Sequence, residues 1–449
     1  MLKRFAVSGC YRLTGLEKDV LMGILHWLFA ASALALAAVV VAEEAPRPLA
    51  NSTEKSYDQS RVGDGDPGRI VVPTNQVLSP LGRQVAYSGR PTDLALSPDG
   101  RWLAVLDRGQ VLTINPVSCQ VVARVPHKGG SYAGLVFTPD GKRLLTSSIT
   151  STIGVFDVSD SGALSPQPPI KLAAASDGRA ESALPISLAI DGSGKTLWAV
   201  LNLNNTLAEI DLASGRVKRE IVVGNAPYGV VLVRDKAYVT NWAGRKPDGD
   251  SLTGPSGRGA PVRVDPRTHI ASDGSVSVVD LAAGKEERQI AVGLHPSAVI
   301  VTPDGSHVLV ANANSDSVSV IETRGNKVVE TISTRPAEGL LFGSAPNALA
   351  ISPDGKTLYV SNGTNNAVMV IALEPGKSRL LGGFPTGWYP AGLALDNARG
   401  ALYVANVKGV GSRNNEWRGQ RKVKNQLVNG YSSHDQLGTV SLVPLPSPG

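Results

Sequence analysis

The chain has 449 residues, of which 48 are Gly and 30 are Pro. This excess of turn-forming residues favours many short strands joined by tight turns. The formal net charge is +6, and residues 1–42 contribute four basic and two acidic side chains, so the remainder carries about +4. So small a surplus is no signature of a nucleic-acid-binding protein.

An uncharged, mostly apolar run at residues 20–42 is the first feature along the chain. Basic residues precede it and small residues end it before Glu43, as in a secretory leader. The run is also long enough to cross a bilayer of about 30 Å as a helix. Residues 1–42 are therefore predicted to be either a cleaved signal peptide or an N-terminal membrane anchor, with the rest of the chain exported to the periplasm, the cell surface or the medium.

Residues 43–68 are predicted to be a linker. Cys119 is the only Cys after residue 42, so the exported part can form no internal disulfide. The stability of this part must therefore come from packing.

Seven repeats follow, and most read as four short strands separated by turns. The copy PNALAISPDGKTLYVSNGTNNAVMVIAL has alternating apolar residues, which is the period of a strand. Asp-Gly pairs, as at residues 354–355, supply the positive φ of tight hairpins. The repeats begin near Pro91, Tyr132, Pro185, Pro227, Pro296, Pro346 and Pro390.

Repeats of about 40 to 70 residues are typical of the blades of a propeller, which are arranged around an axis. The sequence therefore predicts an all-β fold, a seven-bladed β-propeller of four-stranded antiparallel blades over residues 69–446, followed by a tail at 447–449. The last repeat stops after its third strand, GTVSLVPLP, whereas an extra strand, GRQVAYSGRP, precedes the first repeat. We expect this N-terminal strand to become the outer strand of the last blade, because such a closure removes the exposed sheet edges.

The end of the second strand carries an Asn in blades 4 to 7. A short amide at this place can bond to nearby backbone and stabilise a turn; the alternative is a ring of ligand-binding side chains. The four residues are Asn241, Asn312, Asn362 and Asn406, and the equivalent residues in blades 1 to 3 are Asp107, Ser148 and Leu201.

The segments AYVTNWAG, LYVSNGTNNAVMVI and LYVANVKG resemble the YVTN-type β-propeller repeat. In addition, YVTNWAGRKPDGD, VRVDPRTHIASDGSVSVVD, FGSAPNALAISPDGKTLYV, PTGWYPAGLAL and YVANVKGVGS, in that order, are similar to the propeller half of bacterial proteins in which the propeller precedes an alkaline-phosphatase-like phosphoesterase domain. The chain ends at Gly449, just past the final predicted strand. We therefore expect it to lack the phosphoesterase domain, and no metal ligand of that domain is carried over.

Stretches that imitate catalytic motifs fall on turns or links of the repeat. SGKT at residues 193–196 lacks the first glycine of a phosphate-binding loop, and GGSYA at residues 129–133 lacks the final glycine of a nucleophile elbow. The histidines after residue 42 have no metal-ligand spacing, and Asp248 with Asp250 is only a fragment of a calcium loop. We predict no catalytic residue, no metal site and no cofactor.

The order of the strands separates two faces of the propeller. The turn face carries the turns between the first and second strands, with the Asp-Gly pairs, and between the third and fourth. The loop face carries the links between blades and the turns between the second and third strands. Two long insertions, at residues 243–273 in blade 4 and 407–437 in blade 7, fall on the loop face together with TGWYP at residues 386–390.

The insertions are rich in basic residues, and the net charge between Lys408 and Lys424 is +5. Such a surface is expected to attract anionic partners; the alternative is a pair of solvated loops. Trp388 and Tyr389 are interpreted as packing between blades or as the rim of this surface. The candidate binding residues are Trp242, Arg245, Lys246, Trp388, Tyr389, Lys408, Arg413, Trp417, Arg418, Arg421 and Lys422.

Three functions stay open at this point. The first is an exported, non-catalytic binding or scaffold module whose loop face binds a partner protein, an envelope polymer or an anionic ligand. The second is the accessory half of a split or truncated phosphoesterase, with a separate phosphoesterase as its partner. The third is an enzyme, because seven-bladed propellers also house lactonases and oxidoreductases, although a haem-attaching C-x-x-C-H is missing. No nucleic acid is expected, and a membrane only through an uncleaved N-terminal segment.

Overall fold

The computed structural model describes residues 61–63, 65, 68–175, 181–256, 258–413 and 435–445, and the backbone of residues 421–423 and 426–428. These residues form strands and turns. Among them no helix has the length and apolar character needed to span a membrane. The predicted leader or anchor at residues 1–42 and most of the linker predicted at residues 43–68 lie outside the described residues.

Seven four-stranded antiparallel sheets form the blades of a closed ring, which confirms the predicted all-β, seven-bladed propeller. Three strands precede the first blade: β1 (Ile70–Val71), β2 (Val77–Leu78) and β3 (Arg83–Ser88). Blade 1 contains β4 (Pro91–Leu96), β5 (Leu103–Asp107), β6 (Gln110–Asn115) and β7 (Gln120–Pro126); blade 2 contains β8 (Gly130–Phe137), β9 (Arg143–Ser148), β10 (Thr152–Val158) and β11 (Leu164–Lys171); blade 3 contains β12 (Pro185–Ile190), β13 (Thr196–Leu201), β14 (Thr206–Asp211) and β15 (Arg216–Val222).

The later blades follow the same order, apart from the two insertions. Blade 4 contains β16 (Pro227–Val233), β17 (Lys236–Asn241), β20 (Ser275–Asp280) and β21 (Lys285–Ala291), with β18 (Thr253–Gly254) and β19 (Val262–Arg263) in its insertion; blade 5 contains β22 (Pro296–Val301), β23 (His307–Asn312), β24 (Ser317–Glu322) and β25 (Lys327–Ser333); blade 6 contains β26 (Pro346–Ile351), β27 (Thr357–Asn362), β28 (Ala367–Ala372) and β29 (Arg379–Pro385); blade 7 contains β30 (Trp388–Asp396), β31 (Ala401–Gly409) and β34 (Leu437–Pro444), with β32 (Arg421–Val423) and β33 (Gln426–Val428) in its insertion.

Strand β3 completes blade 7, as the sequence predicts. It pairs antiparallel with β34, from Arg83 opposite Leu442 to Ser88 opposite Leu437. The buried side chains of β3, Val85 and Tyr87, belong to an apolar cluster that also contains residues of blade 1. Backbone pairing and side-chain packing of one strand therefore join the last blade to the first.

We expect Val85→Asp to lower the free energy of unfolding by about 3 kcal/mol or more, because it places a carboxylate in an apolar cluster. Ala86→Asp is the matched control, since Ala86 is exposed on the opposite side of the same strand, and its effect should stay within about 1 kcal/mol. Urea unfolding of both variants measures the difference. Equal effects would contradict the described packing of β3.

Blade 2 departs from the other blades in its first strand. Gly130 pairs with Ser148 and Leu135 with Thr146, so three extra residues bulge out of β8. In blade 3, by contrast, only one extra residue separates the corresponding pairs. The strand starts two residues before the predicted start at Tyr132, and the bulge leaves the Tyr132 side chain 48% exposed. Such bulges typically re-aim a side chain.

The residue before the opening proline of a blade is left-handed in five of the seven blades. These residues have φ between 47° and 62°, a conformation that costs a non-glycine residue on the order of 1–2 kcal/mol. Because it recurs, the conformation belongs to the link between blades. The five residues are Leu184, Ala226, His295, Ala345 and Tyr389.

Three of the four asparagines that end the second strands make the same structural hydrogen bonds. The Asn312 amide donates to the hydroxyls of Ser317 and Ser319, at 3.2 and 2.9 Å. Asn241 and Asn406 make the same pair of bonds to hydroxyls of their own third strands. All three asparagines are fully buried, so the amide ties the second strand to the third beneath the loop face.

Replacing Asn312 with Ala should cost about 2–3 kcal/mol of unfolding free energy, because it leaves two buried serine hydroxyls unpaired and a small cavity. Asn397→Ala is a suitable control: Asn397 is exposed, and its side chain makes no hydrogen bond to another described residue. Chemical denaturation measures both variants. A loss below about 0.5 kcal/mol for Asn312→Ala would contradict the structural role.

Candidate binding surface on the loop face

Trp388 is buried against a short N-terminal hairpin that the sequence did not reveal. Strands β1 and β2 form this hairpin, and Ile70, Val72 and Leu78 pack with Trp388 in one apolar cluster. The tip of the hairpin is anchored to blade 6, where Gln76 accepts a hydrogen bond from the Asn366 amide at 2.8 Å. Trp388 is therefore mainly a packing residue, and its partner is this hairpin.

Lys408 lies over the rings of Trp388 and Tyr389. Its ammonium is 4.8 Å from the centre of the Trp388 ring and 5.4 Å from that of Tyr389, within the range of a cation–π interaction. Burial, and then the positive charge of Arg90, lower the pKa of Lys408. The two residues that the sequence left as inter-blade packing or as a rim thus lie beneath a partly desolvated cation.

The blade 4 insertion is a small folded unit with its own ion pairs. Its strands β18 and β19 pair with each other, and Ala243, Val262 and Val264 form its apolar centre. Arg245 bonds to Asp273 at 2.8 Å, and Arg263 to Asp248 at 2.6 Å. These pairs neutralise much of the positive charge of the insertion, whereas the candidate residue Lys246 is exposed and pairs with no described carboxylate.

Trp242 is the centre of an aromatic cluster at the link between blades 4 and 5. Its ring stacks on Tyr228, with centroids 4.5 Å apart, and meets the edge of His295 at 4.2 Å. Burial lowers the pKa of His295 and raises that of Tyr228, so both are neutral near pH 7. The Trp242 indole nitrogen is buried without an acceptor among the described residues.

The described part of the blade 7 insertion is limited to its two ends and a short hairpin. The Arg413 guanidinium donates to the backbone carbonyl of Gly63. Arg421 and Lys422 lie in β32, which pairs with β33, and only their backbone is described. The candidate residues Trp417 and Arg418 lie outside the described residues, so their proposed role stays a prediction.

A second surface feature of the loop face is an exposed apolar loop between blades 5 and 6. Leu340, Leu341 and Phe342 are 47%, 91% and 57% exposed. The base of this loop is firmly held, because the buried Asp316 carboxylate accepts hydrogen bonds from the backbone amides of residues 343 to 345. The sequence GLLFGS was a usable signal, because no other link between blades contains three consecutive large apolar residues.

Asp93 is an acidic residue of a first strand and links blade 1 to blade 2. It accepts a hydrogen bond from the Gly134 amide at 2.8 Å and another from the Leu94 amide at 2.9 Å. Burial nevertheless raises its pKa to about 6, against the lowering effect of these bonds. The carboxylate is therefore ionised at pH 7 at a cost in stability.

Because the folded state raises this pKa, Asp93 favours folding below about pH 4, and that contribution is lost as the pH rises to about 6. As the pH rises from 4.5 to 7.5, the stability of Asp93→Asn relative to the unmodified protein should therefore increase by on the order of 1–2 kcal/mol. Melting curves at the two pH values test this expectation. A difference between the two proteins that does not change with pH would contradict the raised pKa.

Within the described residues, no group of three or more His, Cys, Asp and Glu side chains is arranged to hold a metal ion. His127 is buried and bonds to the Ser147 carbonyl at 3.2 Å and to the Thr146 hydroxyl at 3.1 Å. Asp248, from the calcium-like fragment, is engaged by Ser251 and Arg263. These side chains therefore serve the packing of the blades and the insertion.

Comparisons with known proteins agree with the fold. Residues 261–409, about a third of the chain, match the model of a family described as YNCE-like beta-propeller. The whole fold is that of a β-propeller. Among solved structures it is similar to "Kuenenia stuttgartiensis Hydrazine Synthase", with 18% sequence identity, a TM-score of 0.57, and coverage of 78% of this chain and 97% of that one; a likeness at this identity concerns the fold alone. No curated protein matched.

Proposed function

We propose that the protein is an exported, non-catalytic binding module that uses its loop face to hold a partner protein or an anionic polymer of the cell envelope. The observation that carries the proposal is the asymmetry of the two faces. The turn face consists of short hairpins, such as those at Asp140–Gly141 and Asp354–Gly355, whereas the apolar loop at residues 340–342, the blade 4 insertion and the described ends of the blade 7 insertion lie on the loop face.

The loop face combines two kinds of contact that protein partners use. The apolar loop supplies large exposed side chains on a fixed base, and exposed apolar patches mark interaction sites. The blade 7 insertion supplies basic residues, which raise the rate of association with anionic partners. Export follows from the predicted leader or anchor at residues 1–42 and belongs to the same proposal.

The basic insertion is tested with heparin as a model polyanion. Changing Arg418, Arg421 and Lys422 to Gln in one variant should weaken binding by about tenfold. It should also reduce the salt dependence of binding, because exposed charge interactions are screened by salt. The matched control changes three exposed lysines of the turn face to Gln, with the same loss of charge: Lys142, Lys195 and Lys356.

Equal losses in the two triple variants would show that only net charge matters, and would contradict a dedicated loop-face surface.

Turnover is the second decisive measurement. The purified protein is assayed against lactones and phosphate esters, with and without divalent metal. Turnover that copurifies with the protein and disappears on changing loop-face residues would replace the binding module with an enzyme.

A further inference from the structure

Two arginines flank the loop-face end of the β4–β5 pair in blade 1. Pro91 pairs with Asp107 at the end of the β4–β5 ladder, so Arg90 and Arg108 stand one step beyond this pair, on opposite strands. Like charges placed directly opposite across two strands are destabilising. The Asp107 carboxylate accepts hydrogen bonds from the backbone amides of Arg90 and Gly109, and its charge offsets part of the effect of Arg108 on Arg90.

Arg90 is short of partners for a guanidinium. Its Nε atom is buried without an acceptor among the described residues. Burial, followed by the charge of Arg108, lowers its pKa. Across the described part of the chain, neither arginine has a carboxylate within the 4.0 Å of an ion pair, whereas loop-face arginines such as Arg245 and Arg335 do.

The neighbouring blades bring a third cation and two aromatic rings to the same place. Lys408 comes from blade 7, where it lies over Tyr389 at 5.4 Å, and the charge of Arg90 acts on it. Tyr132 comes from the blade 2 bulge, with the Arg108 guanidinium 5.9 Å from its ring centre. Blades 7, 1 and 2 are consecutive in the closed ring. We name Arg90, Arg108, Lys408, Tyr132 and Tyr389 the mouth cluster.

A structural role does not account for the mouth cluster. The links between the other blades are built without paired cations, since the residues at the place of Arg90 are Leu184, Ala226, His295 and Ala345 in blades 3 to 6. Three repelling cations around partly exposed rings instead form a site that a bound anion would stabilise. The planar guanidinium group of arginine can donate two parallel hydrogen bonds to the oxygens of a phosphate or carboxylate group.

We propose that the mouth cluster binds a small phosphate monoester that carries a ring. The phosphate group supplies close to two negative charges on one tetrahedral centre near neutral pH, which matches the two arginines and the lysine. The half-exposed Tyr132 ring offers a face for the ring of the ligand. This site goes beyond the partner surface proposed above, because it uses blades 7, 1 and 2 themselves and none of the three residues neutralised in the blade 7 insertion.

The test is isothermal titration calorimetry of the full chain with phenyl phosphate as the probe. We expect saturable binding with a Kd on the order of 0.1–1 mM. Arg90→Gln together with Arg108→Gln should weaken binding by about tenfold or more, because each removes a charge-assisted hydrogen bond. Lys142→Gln together with Lys195→Gln, on the turn face, is the control and should leave binding unchanged. Tyr132→Ala should reduce the affinity for phenyl phosphate to that for inorganic phosphate.

Thermal melting of the free protein separates a binding role from a structural one. Arg108→Gln should melt at the same or a higher temperature than the unmodified chain, because it relieves repulsion, yet it should lose the stabilisation by phenyl phosphate. A lower melting temperature without ligand would overturn the proposal, as would binding that survives in the Arg90/Arg108 double variant. The absence of saturable binding below about 10 mM would also overturn it. Heparin binding through the insertion is measured separately, so either proposal can fail alone.

Discussion

Each blade has two apolar faces, and only the neighbouring blades can cover them. The apolar clusters accordingly span pairs of adjacent sheets: one joins Leu145 of blade 2 to Leu197 of blade 3, and another joins Leu309 of blade 5 to Leu358 of blade 6. A linear row would leave its two end faces in water, at a cost of about 25 cal/mol for each Å² of apolar surface. Closure of the ring is therefore the condition on which the packing of every blade depends, and β3 provides it by pairing with β34.

The same closure assembles the candidate sites. Lys408 belongs to the last blade and Arg90 to the link that enters the first, so the mouth cluster exists only after the ring has closed. The N-terminal hairpin likewise reaches Trp388 and the Asn366 turn, and Gln76 and Asn366 are 290 residues apart in the chain. Regular features of the repeat, such as the left-handed residues before the prolines and the buried asparagines, recur because they build blades. The described departures from the repeat, namely the Tyr132 bulge, the apolar loop and the blade 4 insertion, lie on the loop face.

Much of the fold follows from the sequence because its signals are local. Alternating apolar residues and Asp-Gly turns fix the strands of each blade, and the unmatched strands at the two ends predict the closure. The hairpin of β1 and β2 was not predicted, because strands of two residues are too short to show an alternating apolar pattern. The ion pairs Arg245–Asp273 and Arg263–Asp248 were not predicted either, because the net charge of a segment does not show which of its side chains pair. The mouth cluster could not be predicted at all, since Arg90, Arg108, Tyr132 and Lys408 come together only through the topology of the ring.

The pairing of β3 with β34 also has a consequence for biosynthesis. About 350 residues separate the end of β3 from the start of β34, and a ribosome adds roughly 5–20 residues each second. The N-terminal strand must therefore wait on the order of 20–70 s for β34, and its edge stays without that partner throughout. During this interval the edge is open to pairing with strands of other chains.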